Sequence, residues 1–232
     1  MSSLEGRGYA GRILYADLGQ GRFRAESLKK DVAFRFIGGK GLGAYILFRE
    51  MPAGTPPLSP ESVLVVSTGP LTGTIAPGGN RFCVIGKSPA TGTFDDSHCG
   101  GRFGTALKRA GFDALVLKGA CEELSVLVID GDDIRIEPAP WARGATTVKT
   151  EKELRKRFGE EFEFLVIGPA GERMSPVAGV FSNLRAAGRG GLGAVMGFKR
   201  LKAVVARGDK PIRVYDPERF KRFAWIAHRM VR

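Results

Sequence analysis

"CGGRFGTALKRAGFDALVLKG" (99–119) and "GRGGLGAVMGFKRLKAVVARG" (188–208) decide the fold. Each passes from a glycine-rich turn into a short helical pattern, then into a Val/Leu/Ala strand that closes on glycine. The spacing nearly repeats: 13 positions from Gly101 to Ala114, and 12 from Gly191 to Ala203. Upstream of each, an apolar strand ends in Gly-Pro, at Gly69-Pro70 and at Gly168-Pro169. Two generic strand-turn-helix units would explain this. So would a duplicated domain with pseudo-twofold symmetry.

The remaining stretches favour hairpins over regular crossovers. "GRILYADLGQGRFRAES" alternates apolar and polar residues around Gly19-Gln20-Gly21, and "LSVLVIDGDDIRIEPA" does so around Asp130–Asp133. "SVLVVSTG" and "RFCVIGKSP" read as buried strands. "FIGGKGLGAYILFREM" reads as a helix stopped by Pro52, and "TVKTEKELRKRFGEE" as a charged surface helix ended by Gly159. A Pro-rich loop covers 54–62. Hairpins with irregularly interspersed helices imply an α+β fold; on the duplicated reading it is a pseudo-twofold β-sheet domain with short helices. The similar repeats fall at about 60–120 and 160–208, within one domain over 1–212.

The segment 213–232 has a different character. Asp216 is a cap, Pro217 suits the first helical position, and Glu218 complements the helix dipole. Phe220, Phe223, Ala224, Ala227, Met230 and Val231 make an apolar stripe. It reads as the start of a helical domain cut short. An uncovered stripe of this kind promotes self-association, so a homo-oligomer is expected.

Charge is uneven. The chain carries a net +12, and residues 185–232 hold 13 Lys and Arg against 3 Asp and Glu. That balance fits an anionic cofactor, an acidic partner or nucleic acid. No helix-turn-helix pattern, C2H2 spacing or aromatic RNP-like strand supports nucleic acid. No run of 18 apolar residues suggests a membrane span, and the N-terminus "MSSLEGRGYAG" lacks the apolar core of a signal peptide. The odd set Cys83, Cys99 and Cys121 points to reduced thiols and a cytoplasmic protein.

Three glycine-rich helix starts are candidate anion sites: Gly38–Gly43, Gly100–Gly104 and Gly188–Gly193. The first amides of a helix lack internal partners, and the dipole favours negative charge there. Glycine also lets a ligand approach the backbone, although close packing uses it equally well. None of the three fits a dinucleotide fingerprint or a P-loop. Arg81, Arg185 and Arg189 lie beside these glycines and could complete a phosphate cradle. His98-Cys99 is the most reactive-looking pair, while Cys83 and Cys121 read as small buried hydrophobes. Three cysteines and two histidines at these positions have no metal-ligand spacing.

Five ordered motifs carry a resemblance: "GPLTGTIAPGGNRF", "GKSPATGTF", "CGGRFGTALKRAGFDALVLKG", "IGPAGE" and "RAAGRGGLGAVMGFKRLKA". Together, over about residues 8–212, they resemble the N-terminal domain of the tungsten-containing aldehyde:ferredoxin oxidoreductases. The resemblance implies a duplicated α+β base for a tungsten (or molybdenum) bis-molybdopterin cofactor, with Mg²⁺ bridging the pterin phosphates. It implies that Arg81 contacts a pterin. His98, Cys99, Gly100 and Gly101 would form the first pterin-binding turn, and Arg185, Ala186, Gly188 and Arg189 the second. The main-chain carbonyls of His98 and Ala186 would hold Mg²⁺. Family members often carry Asn where His98 stands, which a main-chain ligand would survive. The implied reaction is oxidation of an aldehyde to a carboxylic acid, with electrons leaving through a [4Fe–4S] cluster to ferredoxin. The C-x-x-C-x-x-x-C run that would hold that cluster is absent from these residues, so a helical-domain partner subunit is expected. The rival reading is a non-catalytic cofactor-binding or assembly module, or a truncated remnant.

Overall fold

The computed structural model describes residue 4 and residues 6–231 of the chain. Twelve strands form two six-stranded mixed sheets. In the first sheet the strands are β1 (Arg12–Asp17), β2 (Arg22–Ser27), β3 (Leu64–Thr68), β4 (Phe82–Lys87), β5 (Phe94–Cys99) and β6 (Ala114–Lys118). In the second they are β7 (Ser125–Asp130), β8 (Asp133–Pro138), β9 (Glu163–Val166), β10 (Val180–Ser182), β11 (Arg185–Ala187) and β12 (Leu201–Arg207).

Their spatial orders are β2-β1-β6-β3-β4-β5 and β11-β10-β9-β12-β7-β8. Reversing the second gives the first, with β7 in the place of β1 and so on to β12 for β6. Orientation repeats as well. β1 runs parallel to β6 and β7 parallel to β12, and the other pairs in both sheets are antiparallel. The duplication read from the sequence is therefore present, and it is wider than 60–120 and 160–208. Each unit includes the hairpin before it, β1–β2 or β7–β8.

Among the described residues there are seven α-helices: α1 (Lys30–Phe36), α2 (Gly39–Glu50), α3 (Phe103–Arg109), α4 (Thr147–Phe158), α5 (Pro169–Glu172) and α6 (Leu192–Phe198), which lie between strands, and α7 (Pro217–Met230), which follows β12. α2 covers the outer face of the first sheet, where Leu42, Ile46 and Leu47 meet Val63, Val65, Ile85 and Val116. α4 covers the outer face of the second, with Leu154 among Val126, Val128, Phe164 and Val205. α3 and α6 lie in the central cluster. There Phe103, Leu107, Leu192 and Met196 share one core with Leu64, Val84 and Leu115 of the first sheet and Leu127, Leu165 and Val204 of the second. Central strands covered on both faces read as continuous apolar runs, which is why "SVLVVS" and "AVVA" show no alternation.

Two lysines sit fully buried in this core and cap strand-end carbonyls. The Lys108 Nζ donates to the carbonyls of Gly8 (2.6 Å) and Gly69, and lies 3.7 Å from the Asp113 carboxylate. The Lys199 Nζ donates to Ser62 O (2.5 Å) and Gly119 O (3.0 Å). Burial pulls both ammonium groups down to about 8. Unpaired carbonyls there would leave buried acceptors unsatisfied, so each lysine contributes satisfaction as well as cost.

The last helix forms as the sequence implies: the Asp216 carboxylate accepts the Arg219 N–H at 2.9 Å. Of its apolar stripe only Ala224 is buried, while Phe223, Met230 and Val231 stay exposed. Within the described residues no helix is long and apolar enough to cross a membrane.

Glycine sets the spacing of the central layer. A Cβ on Gly104 would press on the Phe82 ring at 3.0 Å, and one on Gly197 would collide with the Gly171 carbonyl of α5. We expect Gly197→Ala to lower stability by about 1–3 kcal/mol, the usual cost of overpacking. Gly69→Ala, whose nearest neighbour is Thr72 Oγ1 at 3.9 Å, is the control and should cost less. Urea unfolding midpoints read both.

Candidate cofactor site at the junction of the two repeats

β5 and β11 are the outermost strands of their sheets and pack against each other. Each leads into one of the glycine turns: Gly100–Arg102 before α3, and Gly188–Gly191 before α6. The duplication thus brings together two turns that lie about 90 residues apart in the sequence.

β5 has no strong sequence signal. Its "FDDSHC" is polar and only Ser97 and Cys99 are buried, so the strand is recognised only from its pairing with β4. That register sets Phe82 opposite Cys99, which carries Arg81 to the end of β4 beside Gly100. β10 and β11 are three residues each, joined through Asn183 and Leu184, both at positive φ (47° and 62°). Two successive left-handed residues make the tight hairpin turn that matches strand twist.

The turns interlock. A Cβ on Gly101 would lie 2.8 Å from the Ser182 carbonyl and 3.0 Å from Asn183 Oδ1. One on Gly190 would collide with the Asp95 carboxylate of β5. The Arg102 N–H donates to Asn183 Oδ1 at 2.8 Å, and the Arg189 N–H donates to Ser97 Oγ at 3.1 Å. The Arg185 side chain covers Gly100, its Cγ 3.5 Å from where a Cβ would stand. Arg81, Arg185 and Ala186, Gly188 and Arg189 are therefore neighbours of His98, Cys99, Gly100 and Gly101 across one junction.

Two glycines of these turns are not required by packing or backbone conformation. Gly100 and Gly188 have neither a strained backbone nor a tight neighbour; at Gly188 only the Ala186 Cβ comes within 3.7 Å. The guanidinium groups of Arg81, Arg185 and Arg189 make no salt bridge and no side-chain hydrogen bond among the described residues. Open backbone with unpaired guanidinium groups is the donor set a phosphate-bearing ligand requires.

The side chains of the His98-Cys99 pair point elsewhere. His98 is exposed, with Nδ1 3.2 Å from Cys83 Sγ and Nε2 3.3 Å from Asp96 Oδ2. Asp96 also pairs with Lys40 at 2.6 Å. Cys99 is fully buried in the central core beside the amides of Ser182 and Ala187. Burial pushes the Cys83 and Cys99 thiols up to about 11, and raises Cys121 as well. Only the backbone of His98 and Cys99 is left to serve the junction. The third glycine run, Gly38–Gly43, is explained by packing: Gly38 lies on Thr68 O and Gly43 on the Ile85 side chain. Among the described residues no group of three His, Cys, Asp or Glu side chains could hold a metal ion.

A groove of about 840 Å³ adjoins the junction, between the 73–80 loop and α7. Ile75, Pro77 and Trp225 line it, Asn80 stands at its junction side, and His228 Nε2 lies 2.9 Å from the Ile75 carbonyl. Sequence reading gave no sign of it, because its two walls come from segments about 150 residues apart.

The family profile for the aldehyde ferredoxin oxidoreductase N-terminal domain matches residues 13–208. The chain belongs to the aldehyde ferredoxin oxidoreductase family. It is 43% identical to a tungsten-containing aldehyde ferredoxin oxidoreductase of Pyrococcus abyssi, over 92% of this chain and 35% of the relative. It is 35% identical to an aliphatic sulfonate oxidoreductase, WOR-like subunit, of Pyrococcus furiosus, over 92% of this chain and 37% of that one. Among solved structures it matches the active-site complex BamBC of benzoyl coenzyme A reductase in complex with 1,5-dienoyl-CoA. That match has a TM-score of 0.91 and 34% identity, over 94% of this chain and 34% of the other. The chain thus spans about a third of the length of these relatives. The duplicated sheet domain is the family's N-terminal domain, and an oxidoreductase family with tungsten chemistry is its context.

Thiolate is the reactive form of cysteine, and here all three thiols are buried with raised pKa. We expect Cys83 and Cys99 in the native chain at pH 8 to react with an aromatic disulfide reagent at least about 100-fold more slowly than a free thiol of pKa near 8.5, and Cys121 to react more slowly than that free thiol. All three should react at once in denaturant. Absorbance of the released thiolate measures both.

Proposed function

We propose that this chain is the bis-pterin platform of a tungsten (or molybdenum) oxidoreductase that converts an aldehyde to a carboxylic acid. One observation carries the reading: two glycine turns, one from each repeat, meet at a junction flanked by Arg81, Arg185 and Arg189, whose guanidinium groups make no salt bridge among the described residues. A cofactor of two similar anionic halves suits a protein base of two similar halves.

The residues present fit the group. Arg81 and the Gly100–Gly101 turn would hold one pterin, and Arg185, Gly188 and Arg189 the other. The main-chain carbonyls of His98 and Ala186, on the two meeting edge strands, would hold a Mg²⁺. When bound, the metal supplies two-electron redox chemistry: aldehyde and water give carboxylic acid, two electrons and two protons. The chain's own contribution is to orient the two pterins and neutralise their phosphates by fixed guanidinium groups. The thiols of Cys83, Cys99 and Cys121, buried and with raised pKa, would not serve as metal ligands.

The electron path through a [4Fe–4S] cluster to ferredoxin belongs to the part of the relatives that this chain does not span. Cluster ligands and walls of the substrate pocket are proposed to come from helical domains there, in the same polypeptide or in a partner subunit. The relatives are named for different substrates (aldehyde, aliphatic sulfonate, benzoyl-CoA), while this domain matches all of them. Substrate choice is therefore assigned to those other domains.

Purification from a host supplied with tungstate, with the neighbouring gene products present, tests the proposal. Elemental mass spectrometry and fluorescence of the oxidised pterin should give two pterins per tungsten or molybdenum. A metal-free and pterin-free chain under those conditions would refute it. Arg185→Ala should reduce loading about 10- to 100-fold, the fold-change of a charge-assisted hydrogen bond of about 1.5–3 kcal/mol.

A further inference from the structure

We infer that Ser97 and Asn183 are positioning residues that clasp the two cofactor turns to each other. The inference rests on the bis-pterin reading above, and adds to it how the spacing between the half-sites is held.

The clasp is reciprocal. Asn183, in the second repeat, accepts the Arg102 N–H at the first turn (2.8 Å). Ser97, in the first repeat, accepts the Arg189 N–H at the second turn (3.1 Å). Each turn therefore takes its reference position from the opposite repeat. Were the acceptors local, each half-site would be well formed but free to shift relative to the other. A ligand that joins two halves through one metal is sensitive to that relative shift, since both halves must reach it together.

Both acceptors are themselves fixed. Ser97 is buried within β5. Asn183 stands at the hairpin turn between β10 and β11, in a left-handed conformation that Asn tolerates better than most residues. Its backbone N–H donates to Glu151 Oε1 (3.0 Å) and its Nδ2 to Glu163 Oε2 (3.1 Å). Glu163 is in turn held 3.6 Å from both Arg155 and Arg102. With Nδ2 committed to Glu163, Oδ1 must face the turn. A locked supporting shell of this kind is what holds a binding geometry to within fractions of an ångström.

The test uses Ser97→Ala and Asn183→Gly. Glycine keeps the left-handed backbone at 183 while removing the acceptor. Ser97→Thr keeps the oxygen. Ser125→Ala is the comparison: it also removes a hydroxyl from a buried strand position, one bonded to Glu123 O at 2.9 Å in the other sheet and away from the turns. Each full chain is produced in the tungstate-supplied host, and pterin and metal per chain are measured beside the thermal midpoint of the cofactor-free form.

Ser97→Ala and Asn183→Gly should each lower loading at least about fivefold, the fold-change of one neutral hydrogen bond. Ser97→Thr and Ser125→Ala should load as the unaltered chain does. Equal loading in all variants overturns the clasp. So does a loss in Ser125→Ala as large as in the other two, which would make the effect one of general stability. Absence of pterin from the unaltered chain would instead remove the bis-pterin reading, and the clasp with it.

Discussion

The central constraint is that two sheets must share one core through two very short helices. α3 and α6 have seven residues each and lie between the sheets. Such helices have little stability of their own, so they exist because both faces are buried. Their glycines allow the required approach: Gly104 to Phe82, Gly193 to the Gly179 carbonyl, Gly197 to Gly171. Once α3 and α6 are seated, the turns that precede them are carried to the junction of β5 and β11. The site is a by-product of how the core closes.

Electrostatics and packing divide the work at that junction. The interior side is neutral and closed, with Cys99 buried and its thiol kept protonated. The outer side carries Arg81, Arg185 and Arg189 with no carboxylate bound to them. Asp95 is close to Arg189, and burial and the neighbouring Asp96 raise its pKa while Arg189 and Lys40 lower it.

Much of the fold was legible because its elements are strongly marked. The hairpins at Gly19–Gly21 and Asp130–Asp133, the buried runs of β3 and β4, and the capped helices α4 and α7 follow from alternation, apolar runs and caps. β5, β10 and β11 were not legible. Their residues are polar, or the strand is only three residues long, and pairing rather than propensity makes them strands. The repeat looked too narrow for a related reason. Self-similarity survives in the glycine turns, where backbone geometry restricts the residue type, and fades in the flanking hairpins, where many sequences suffice. Arg185 and Arg189 are legible as candidates because they flank the second turn, whereas Arg81 follows Gly78-Gly79-Asn80 and reaches Gly100 only through the pairing of β4 with β5. Ser97 and Asn183 could not, because nothing local distinguishes a serine or asparagine that bonds across to another repeat.

By itself, then, the sequence determined the kinds of element, their duplication and the two glycine turns that a ligand would require. Those depend on local sterics, hydrophobic period and backbone freedom, all of which act over a few residues. Tertiary structure alone decided that the turns face each other, that the Cys99 thiol is removed from the site, and that each turn is held by the opposite repeat. These outcomes depend on which sheet edges meet. That is set by burial of the shared core across some 90 residues of chain, a distance over which no short-range pattern carries information.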